Sequence, residues 1–178
     1  MREAAEAMFA RAQKLAGVYR ERNVAAILAL LEEAATCDHR EALFALGTWR
    51  HYGIGCARDD AAAAALWRRA ADRGHADAQF QLAIATERGI GVACDPARAY
   101  ALYESCARSG DVGALYEVGR CRYYGIGTSA DRAAAAQLFA TARHFGHAEA
   151  ICDDAEGDGP RRMPRPSAAG PFHPTRSA

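Results

Sequence analysis

The sequence is short of lysine, and this shortage excludes two classes of enzyme. Its 178 residues include 22 basic side chains, of which Lys14 is the single lysine, and Gln13 precedes it. A phosphate-binding P-loop needs Gly-Lys-Ser/Thr, and a Ser-x-x-Lys acyl-enzyme needs a lysine three residues after a serine. Neither motif exists in this chain, so neither chemistry is open to it.

Long apolar runs, paired cysteines and net charge are also absent. The apolar run at 24–31 is too short to span a bilayer, and Glu32 and Glu33 follow it where a signal cleavage site would lie. The six cysteines form no C-x-x-C pair, so we expect free thiols in a reducing cytosol. A formal net charge of zero gives no general attraction to nucleic acid or anionic membranes. We therefore predict a cytoplasmic protein without a membrane segment.

Alanine is what the sequence has in excess. Its 44 alanines make up about a quarter of the chain, whereas aromatic residues make up 8%. Alanine has the highest helix propensity, and its small side chain allows helices to pack closely. The composition therefore favours an all-α fold and excludes an all-β fold.

A repeat of 36 residues organises the chain. Gly-Ile-Gly occurs at 53–55, 89–91 and 125–127, and the same step joins many apolar positions. The joined positions include Ala42, Ala78 and Ala114; Leu46, Leu82 and Val118; Leu66, Leu102 and Leu138; and Trp67, Tyr103 and Phe139. A period of 20 to 50 residues is typical of a solenoid, in which each repeat buries its apolar face on its neighbours.

Each repeat is predicted to be a pair of antiparallel helices, A and B. Asp59, Asp95 and Asp131 occupy the N-cap position of the B helices, and a glycine past each B helix suits the left-handed turn that ends it. The period places A helices at about 40–52, 76–88 and 112–124, with later B helices at 96–108 and 132–144. His39, His75, Asp111 and His147 share a position that suits capping of helix A.

The period also predicts the domain organisation. We expect a degenerate N-terminal helix pair at 1–39, three full repeats at 40–146, a truncated C-terminal capping helix at 147–156 and a flexible Pro/Arg-rich tail at 157–178. The predicted fold is an all-α solenoid that winds as a right-handed superhelix.

The repeat signature resembles the Sel1-like repeat, a relative of the tetratricopeptide repeat. The matching pattern is A-x-F-x-L-[GA], Gly-Ile-Gly, an aspartate, L-[WYF] and a closing glycine, over roughly residues 40–152. The resemblance implies a non-catalytic scaffold or adaptor that binds other proteins, often in bacterial signalling or secretion, and it implies no cofactor.

By similarity with tetratricopeptide arrays, the A helices are expected to line a concave groove. At 100° per residue, positions 41, 44, 48, 51 and 52 share one face, opposite the buried positions 42 and 46. The candidate groove residues of the three repeats are Glu41, Phe44, Thr48, His51, Tyr52, Asp77, Phe80, Ile84, Glu87, Arg88, Gly113, Tyr116, Arg120, Tyr123 and Tyr124.

Among these residues, Tyr52, Arg88, Arg120 and Tyr124 are the preferred binding candidates, because arginine is rarely buried without a partner. We expect Arg88 and Arg120 to approach one acidic side chain or C-terminal carboxylate of a polypeptide partner. Two alternatives stay open. In the first, the rings at one repeat position pack between A helices: Phe44, Phe80 and Tyr116. In the second, an acid such as Glu87 neutralises the two arginines.

Other functions have weaker support in the sequence. RNA binding by a helical repeat is the main alternative, but Glu41, Asp77 and Glu87 interrupt the positive track that a phosphate backbone needs. A calcium-loop pattern begins at Asp154 and fails at Arg165, where a glutamate is required. His144, His147 and Cys152 suggest zinc only weakly, and no nucleophile and base form a recognisable catalytic group. We therefore predict that the protein is not an enzyme, holds no metal ion and does not bind nucleic acid.

Overall fold

The computed structural model describes residues 2–18 and 23–146, whose regular secondary structure consists of eight α-helices and no strand. The helices are α1 Arg2–Val18, α2 Val24–Thr36, α3 Arg40–Tyr52, α4 Asp60–Asp72, α5 Ala76–Arg88, α6 Pro96–Arg108, α7 Val112–Tyr124 and α8 Arg132–His144. The predicted A helices are α3, α5 and α7, and the B helices are α4, α6 and α8. The prediction of an all-α helix-pair fold with a 36-residue period is confirmed.

The described residues form two compact units. The first unit contains residues 2–18, 23–81 and 90–92, and the second contains 82–89 and 93–146. In the first unit, α1 packs on α2, α2 on α3, and α3 on α4. In the second unit, α6 packs on α7, and α7 on α8. The N-terminal segment is thus a helix pair, whereas the proposed capping helix at 147–156 and the tail at 157–178 lie outside the described residues.

Side-chain caps fix where the helices begin. The side chains of Asp59, Asp95 and Asp131 each accept a hydrogen bond from a backbone N–H in the first turn of their B helices, at 2.9–3.0 Å. The A helices are capped at the equivalent positions by His39, His75 and Asp111. Both sets of caps were predicted, because capping depends on a residue and its immediate sequence neighbours.

A large B-helix side chain packs on a small A-helix residue in each unit. A Cβ added to Gly47 would lie 2.7 Å from Cδ1 of Trp67, and one added to Gly119 would lie 2.7 Å from Cε1 of Phe139. Trp67 and Phe139 are both almost fully buried. The absence of a side chain on the A helix therefore makes room for the ring that fills the core of each helix pair.

The Gly-Ile-Gly segments turn the chain from helix A to helix B. Their first glycine is left-handed, with φ of +69° at Gly53 and +73° at Gly125, and ends the A helix. The second glycine approaches the start of the preceding B helix. A Cβ on Gly127 would overlap the backbone carbonyl of Pro96, and a Cβ on Gly91 would overlap that of Asp60. The second glycine is therefore required by close backbone packing as well as by its φ.

Two further predictions concern membrane-spanning helices and free thiols. None of the helices in 2–18 and 23–146 is long and apolar enough to cross a membrane. Cys37, Cys56, Cys94, Cys106 and Cys121 are free thiols, and Cys152 lies outside the described residues.

Candidate functional site

The N-terminal half of the predicted face is engaged within the first unit. Glu41 binds Arg40 at 3.2 Å, and its other oxygen lies 2.9 Å from Nε2 of His75. The ring of Phe44 packs on the His75 ring at a centroid distance of 4.3 Å. Asp77 is half-buried and Phe80 is buried. The face is therefore partly a packing surface between helices here, as the first alternative held.

The C-terminal end of α3 presents a more open arrangement. Thr48 donates a hydrogen bond to the Phe44 backbone carbonyl at 3.0 Å. Tyr52, the last residue of the helix, is 54% exposed. Nδ1 of His51 lies 2.6 Å from a carboxylate oxygen of Asp60, which also accepts hydrogen bonds from Arg58. The hydrogen bond from Arg58, supported by the hydrogen bond to His51, holds the pKa of Asp60 below its usual range. The charges at this end of the first unit are thus largely satisfied.

In the second unit, the predicted residues divide into buried and exposed sets. Tyr116 and Arg120 are buried, and Gly113, Ile84 and Tyr123 are half-buried. Arg88 and Tyr124 are exposed, Tyr124 at 49%. The exposed members are the last residues of α5 and α7, as Tyr52 is the last residue of α3. The 36-residue register therefore places a large exposed side chain at the C-terminal residue of every A helix.

Arg120 is the centre of a buried charged cluster. Its Nε donates to Glu117 at 2.7 Å, and its Nη2 donates to both oxygens of Glu87 at 2.8 and 2.9 Å. The hydroxyl of Tyr103 donates to Glu87 at 2.9 Å. The Arg120 guanidinium thus joins α5 and α7 within the second unit, Tyr103 of α6 joins the cluster through Glu87, and two carboxylates contact the one buried cation.

Burial and charge shift the pKa values of the cluster in opposite directions. Burial raises the pKa of Glu117, although Arg120 and its hydrogen bond oppose the shift. Burial disfavours the charged form of Arg120, but the two carboxylates outweigh it and raise the pKa of the guanidinium. Burial also raises the pKa of the neighbouring Cys121 thiol to about 12, so this thiol is not a nucleophile at neutral pH.

The burial of Arg120 differs from the exposed position that we expected, and Glu87 explains why. In the first unit, His51 reaches the first residue of the following B helix, Asp60. In the second unit, the residue equivalent to Asp60 is Pro96, the first residue of α6, and its side chain carries no charge that could pair with Glu87. Glu87 instead binds Arg120, as the second alternative proposed, although that alternative applied to Arg88 as well. Arg120 is therefore committed within the protein, whereas Arg88 remains on the surface.

Sequence reasoning missed two residues, Glu117 and Arg132. Glu117 shares α7 with Arg120, three residues earlier, a spacing that would have indicated an ion pair. Arg132 is the first residue of α8, and its guanidinium lies over the Tyr123 ring, 5.1 Å from the centroid. Its signal in the sequence is that an arginine stands where the other repeats have Asp60 and Pro96.

The exposed face carries side chains that are common in recognition surfaces. Among the described residues, no three His, Cys, Asp or Glu side chains come together as a ligand set for a metal ion. Tyrosine and arginine, which stand exposed at the ends of the A helices, are the side chains most often found at the energetic centres of protein interfaces. This face is therefore suited to holding another molecule.

Comparison with known protein families identifies the repeats. The model described as "Sel1 repeat" matches residues 40–75, 76–111 and 112–143. These spans coincide with the three helix pairs α3/α4, α5/α6 and α7/α8. A search of curated protein sequences finds no match.

Solved structures with the same fold come from bacteria. The chain resembles a Sel1 repeat protein from Oxalobacter formigenes at 25% identity and a TM-score of 0.71, over 79% of this chain and 60% of that one. It resembles c5321, a protective antigen of uropathogenic Escherichia coli displaying an SLR fold, at 26% identity and a TM-score of 0.70, over 78% of this chain and 31% of that one. The chain thus spans less than two thirds of either protein.

A third structure shares the fold at lower similarity. Helicobacter pylori cysteine rich protein B matches at 18% identity and a TM-score of 0.52, over 67% of this chain and 91% of that one. The three matches place the chain among α-solenoids of helix-pair repeats.

Proposed function

Because the chain belongs to the Sel1 repeat family, whose fold is typical of protein–protein interaction scaffolds, we propose that it is a non-catalytic adaptor for a polypeptide partner. The partner contacts the exposed part of the A-helix face. One observation carries the proposal: the last residue of each A helix, Tyr52, Arg88 or Tyr124, is a large exposed side chain of a type common in interfaces. The solved relatives are bacterial, which supports a bacterial adaptor.

The chemistry of the partner follows from the charge on this face. Arg88 is exposed, and its charge also acts on the buried Glu117, whereas two acids of the face, Glu41 and Glu87, are paired with Arg40 and Arg120. The cation left to the surface favours an acidic side chain or a C-terminal carboxylate on the partner. Arg120, which we first paired with Arg88, supports the fold of the second unit instead.

The remaining groove candidates take graded roles in this proposal. Thr48, His51, Ile84 and Tyr123 are half-buried and border the exposed residues, so they shape the contact surface. The other candidates contribute to the positions of the A helices: Glu41, Phe44, Asp77, Phe80, Glu87, Tyr116 and Arg120. The residues proposed to contact the partner are therefore Tyr52 in the first unit and Arg88 and Tyr124 in the second.

A matched pair of variants tests the proposal. The full chain is immobilised, a partner is captured from a lysate of the source organism and identified, and the purified partner is titrated by calorimetry. Tyr52→Ser with Arg88→Ala and Tyr124→Ser should weaken binding at least tenfold, since interface tyrosines and arginines each contribute on the order of 1 kcal/mol or more. The exposed B-helix variant Arg68→Ala with Arg98→Ala is the control and should bind like the wild type.

Two results would contradict the proposal. The first is an identified partner whose affinity is equal for the wild type and the face variant while the melting temperatures are also equal. The second is submicromolar, salt-sensitive RNA binding in the absence of any polypeptide partner, which would make the protein an RNA-binding repeat. Circular dichroism melts of both variants are the folding control. Melting temperatures equal to that of the wild type would show that a loss of binding is not a loss of folding.

A further inference from the structure

The turn between α7 and α8 carries an aromatic and basic cluster whose arginine neither the repeat signature nor the proposed function assigns. We call it the α7–α8 corner, and it consists of Tyr123, Tyr124 and Arg132, all in the second unit. The Tyr123 and Tyr124 rings meet edge to face, with centroids 4.9 Å apart at 74°. Arg132 is exposed and lies over the Tyr123 ring. Half of the Tyr124 surface remains open to solvent.

The equivalent corner of the first unit shows what is unusual here. There the register places His51, Tyr52 and Asp60, and the Asp60 carboxylate is satisfied by His51 and Arg58. In the second unit the acid is replaced by Arg132. Within the part of the chain that the structure describes, no carboxylate forms an ion pair with Arg132. The same position in the fold thus carries a closed ion pair in one unit and an open cation in the other.

An arginine in this place has a local cost. The N-terminus of a helix carries partial positive charge, so a cation in the first turn is unfavourable by a few tenths of a kcal/mol. The carboxylate of Asp131, the nearest acid in sequence, caps α8 by accepting the N–H of Ala134 at 2.9 Å.

A cation–π contact leaves a guanidinium able to bind a second partner. The ring attracts the positive charge of Arg132, whereas a guanidinium has five N–H donors with which to bind an acceptor. Contact with Tyr123 therefore restrains Arg132 and leaves its donor edge open for two parallel hydrogen bonds to a carboxylate. Tyr124, beside it, offers an exposed apolar ring face.

We propose that the α7–α8 corner binds an acidic side chain of the partner polypeptide, with Arg132 donating to the carboxylate and Tyr124 packing on an adjacent apolar residue. The inference rests on the proposed function and names the chemistry that one end of the A-helix face selects. An acidic side chain fits better than a C-terminal carboxylate, because chain termini are captured by clusters of backbone N–H groups. The donors at this corner belong to a side chain.

Blocked tripeptides test the corner without requiring the natural partner. The full isotope-labelled chain is titrated with acetyl-Phe-Glu-Leu-amide, and the Arg132 Nε–H and Tyr124 ring signals are followed by NMR. Two further probes are the isosteric acetyl-Phe-Gln-Leu-amide and acetyl-Phe-Gln-Leu with a free C-terminal carboxylate. We expect saturable shifts at Arg132 and Tyr124, with the glutamate peptide binding about fivefold more tightly than either glutamine peptide. Salt should reduce this difference.

A matched arginine controls for a general loss of positive charge. Arg98 is exposed in the first turn of α6, in the same unit. Arg132→Gln should remove the preference for glutamate over glutamine, whereas Arg98→Gln should retain it. Both variants should melt like the wild type, because neither guanidinium is buried.

Three outcomes would overturn the inference. They are equal affinity for the glutamate and glutamine peptides, tighter binding of the free C-terminal carboxylate, and equal effects of the Arg132→Gln and Arg98→Gln variants. The proposed function is tested separately, by the effect of Tyr52, Arg88 and Tyr124 on the captured partner. A partner that needs those residues but binds Arg132→Gln unchanged would contradict this inference alone.

Discussion

At the scale of single residues, the identity of an arginine does not determine whether it binds a partner or supports the fold. Arg88 and Arg120 both lie on the predicted face, yet Arg88 is exposed and Arg120 is buried against two carboxylates. The difference depends on which acid reaches each guanidinium. A buried arginine that lost its carboxylates would leave an unpaired charge, which costs several kcal/mol.

The excess carboxylate of this cluster predicts a pH-dependent stability difference. The pKa of Glu117 is raised in the folded protein, so its stabilising contribution is present below the unfolded pKa and is lost as pH rises through the folded pKa. Glu117→Gln removes the charge that is costly above that range and keeps an acceptor for Arg120. We therefore expect the variant to be more stable than the wild type at pH 7.

Urea unfolding at several pH values measures this difference. The gain of Glu117→Gln should shrink as pH falls from 7 towards the ordinary glutamate pKa of about 4.3, because the wild-type side chain then takes up a proton. Glu104→Gln, a half-exposed acid paired with Arg122 in the same unit, is the control and should show no such gain. A Glu117→Gln variant that loses stability at pH 7 would show that the second carboxylate is a net stabilising partner of Arg120.

At the scale of helices and turns, the sequence predicted nearly all boundaries because the signals are local. A capping aspartate acts on an amide three residues away, as Asp131 does on Ala134. A glycine that turns left-handed acts on its own backbone, as Gly125 does. Both effects are complete within one turn of chain, so a repeated pattern of such residues marks helix ends without knowledge of the tertiary structure.

The second glycine of Gly-Ile-Gly predicts a cost that conformation alone cannot explain. Gly127 has φ of +67° and Gly110 has φ of +90°, so alanine is strained at both positions. A Cβ on Gly110 meets nothing within 4 Å, whereas one on Gly127 would overlap the Pro96 carbonyl. Gly127→Ala should therefore lower the free energy of unfolding by about 2 kcal/mol more than Gly110→Ala.

Both substitutions lie in the second unit, so the difference between them isolates the backbone contact. Urea titrations of the two variants and the wild type provide the measurement. Equal losses of stability would mean that the α7–α8 turn moves away from Pro96 at little cost, and that the second glycine serves only its own φ.

At the scale of the whole molecule, the repeat explains why fold prediction succeeded further than site prediction. Burial of positions such as Ala42 and Leu46 recurs in every repeat, so the period reports it. The surface contacts do not recur: His51, Glu87 and Tyr123 occupy one register position and have three different kinds of partner. The departures at Pro96 and Arg132 were visible in the sequence, but their consequences required the positions of neighbouring helices.

Because the repeats are not identical, a Gly→Ala substitution should cost different amounts of stability at equivalent positions. Gly47 and Gly119 both lack room for a Cβ, but the second repeat has Ala83 at the equivalent position and Tyr103 at the position of Trp67 and Phe139. A six-membered ring thus accommodates alanine. The three atoms nearest to a Cβ added on Gly119 all belong to the Phe139 ring, whereas those nearest to a Cβ on Gly47 are two Trp67 indole atoms and the Ala63 backbone carbonyl oxygen at 3.2 Å. Gly47→Ala should therefore cost about 2 kcal/mol, and Gly119→Ala less than half as much.

Gly17→Ala provides the reference for helix propensity alone. Gly17 lies in α1 with nothing within 4 Å of an added Cβ, so alanine there should stabilise by about 0.5 kcal/mol. Chemical unfolding of the three variants gives the order directly. If Gly119→Ala cost as much as Gly47→Ala, the Phe139 ring would be held as rigidly as the Trp67 indole. Ala83 would then be tolerated because of the hydrogen bond from Tyr103 to Glu87, and the polar cluster of the second unit would determine how its core packs.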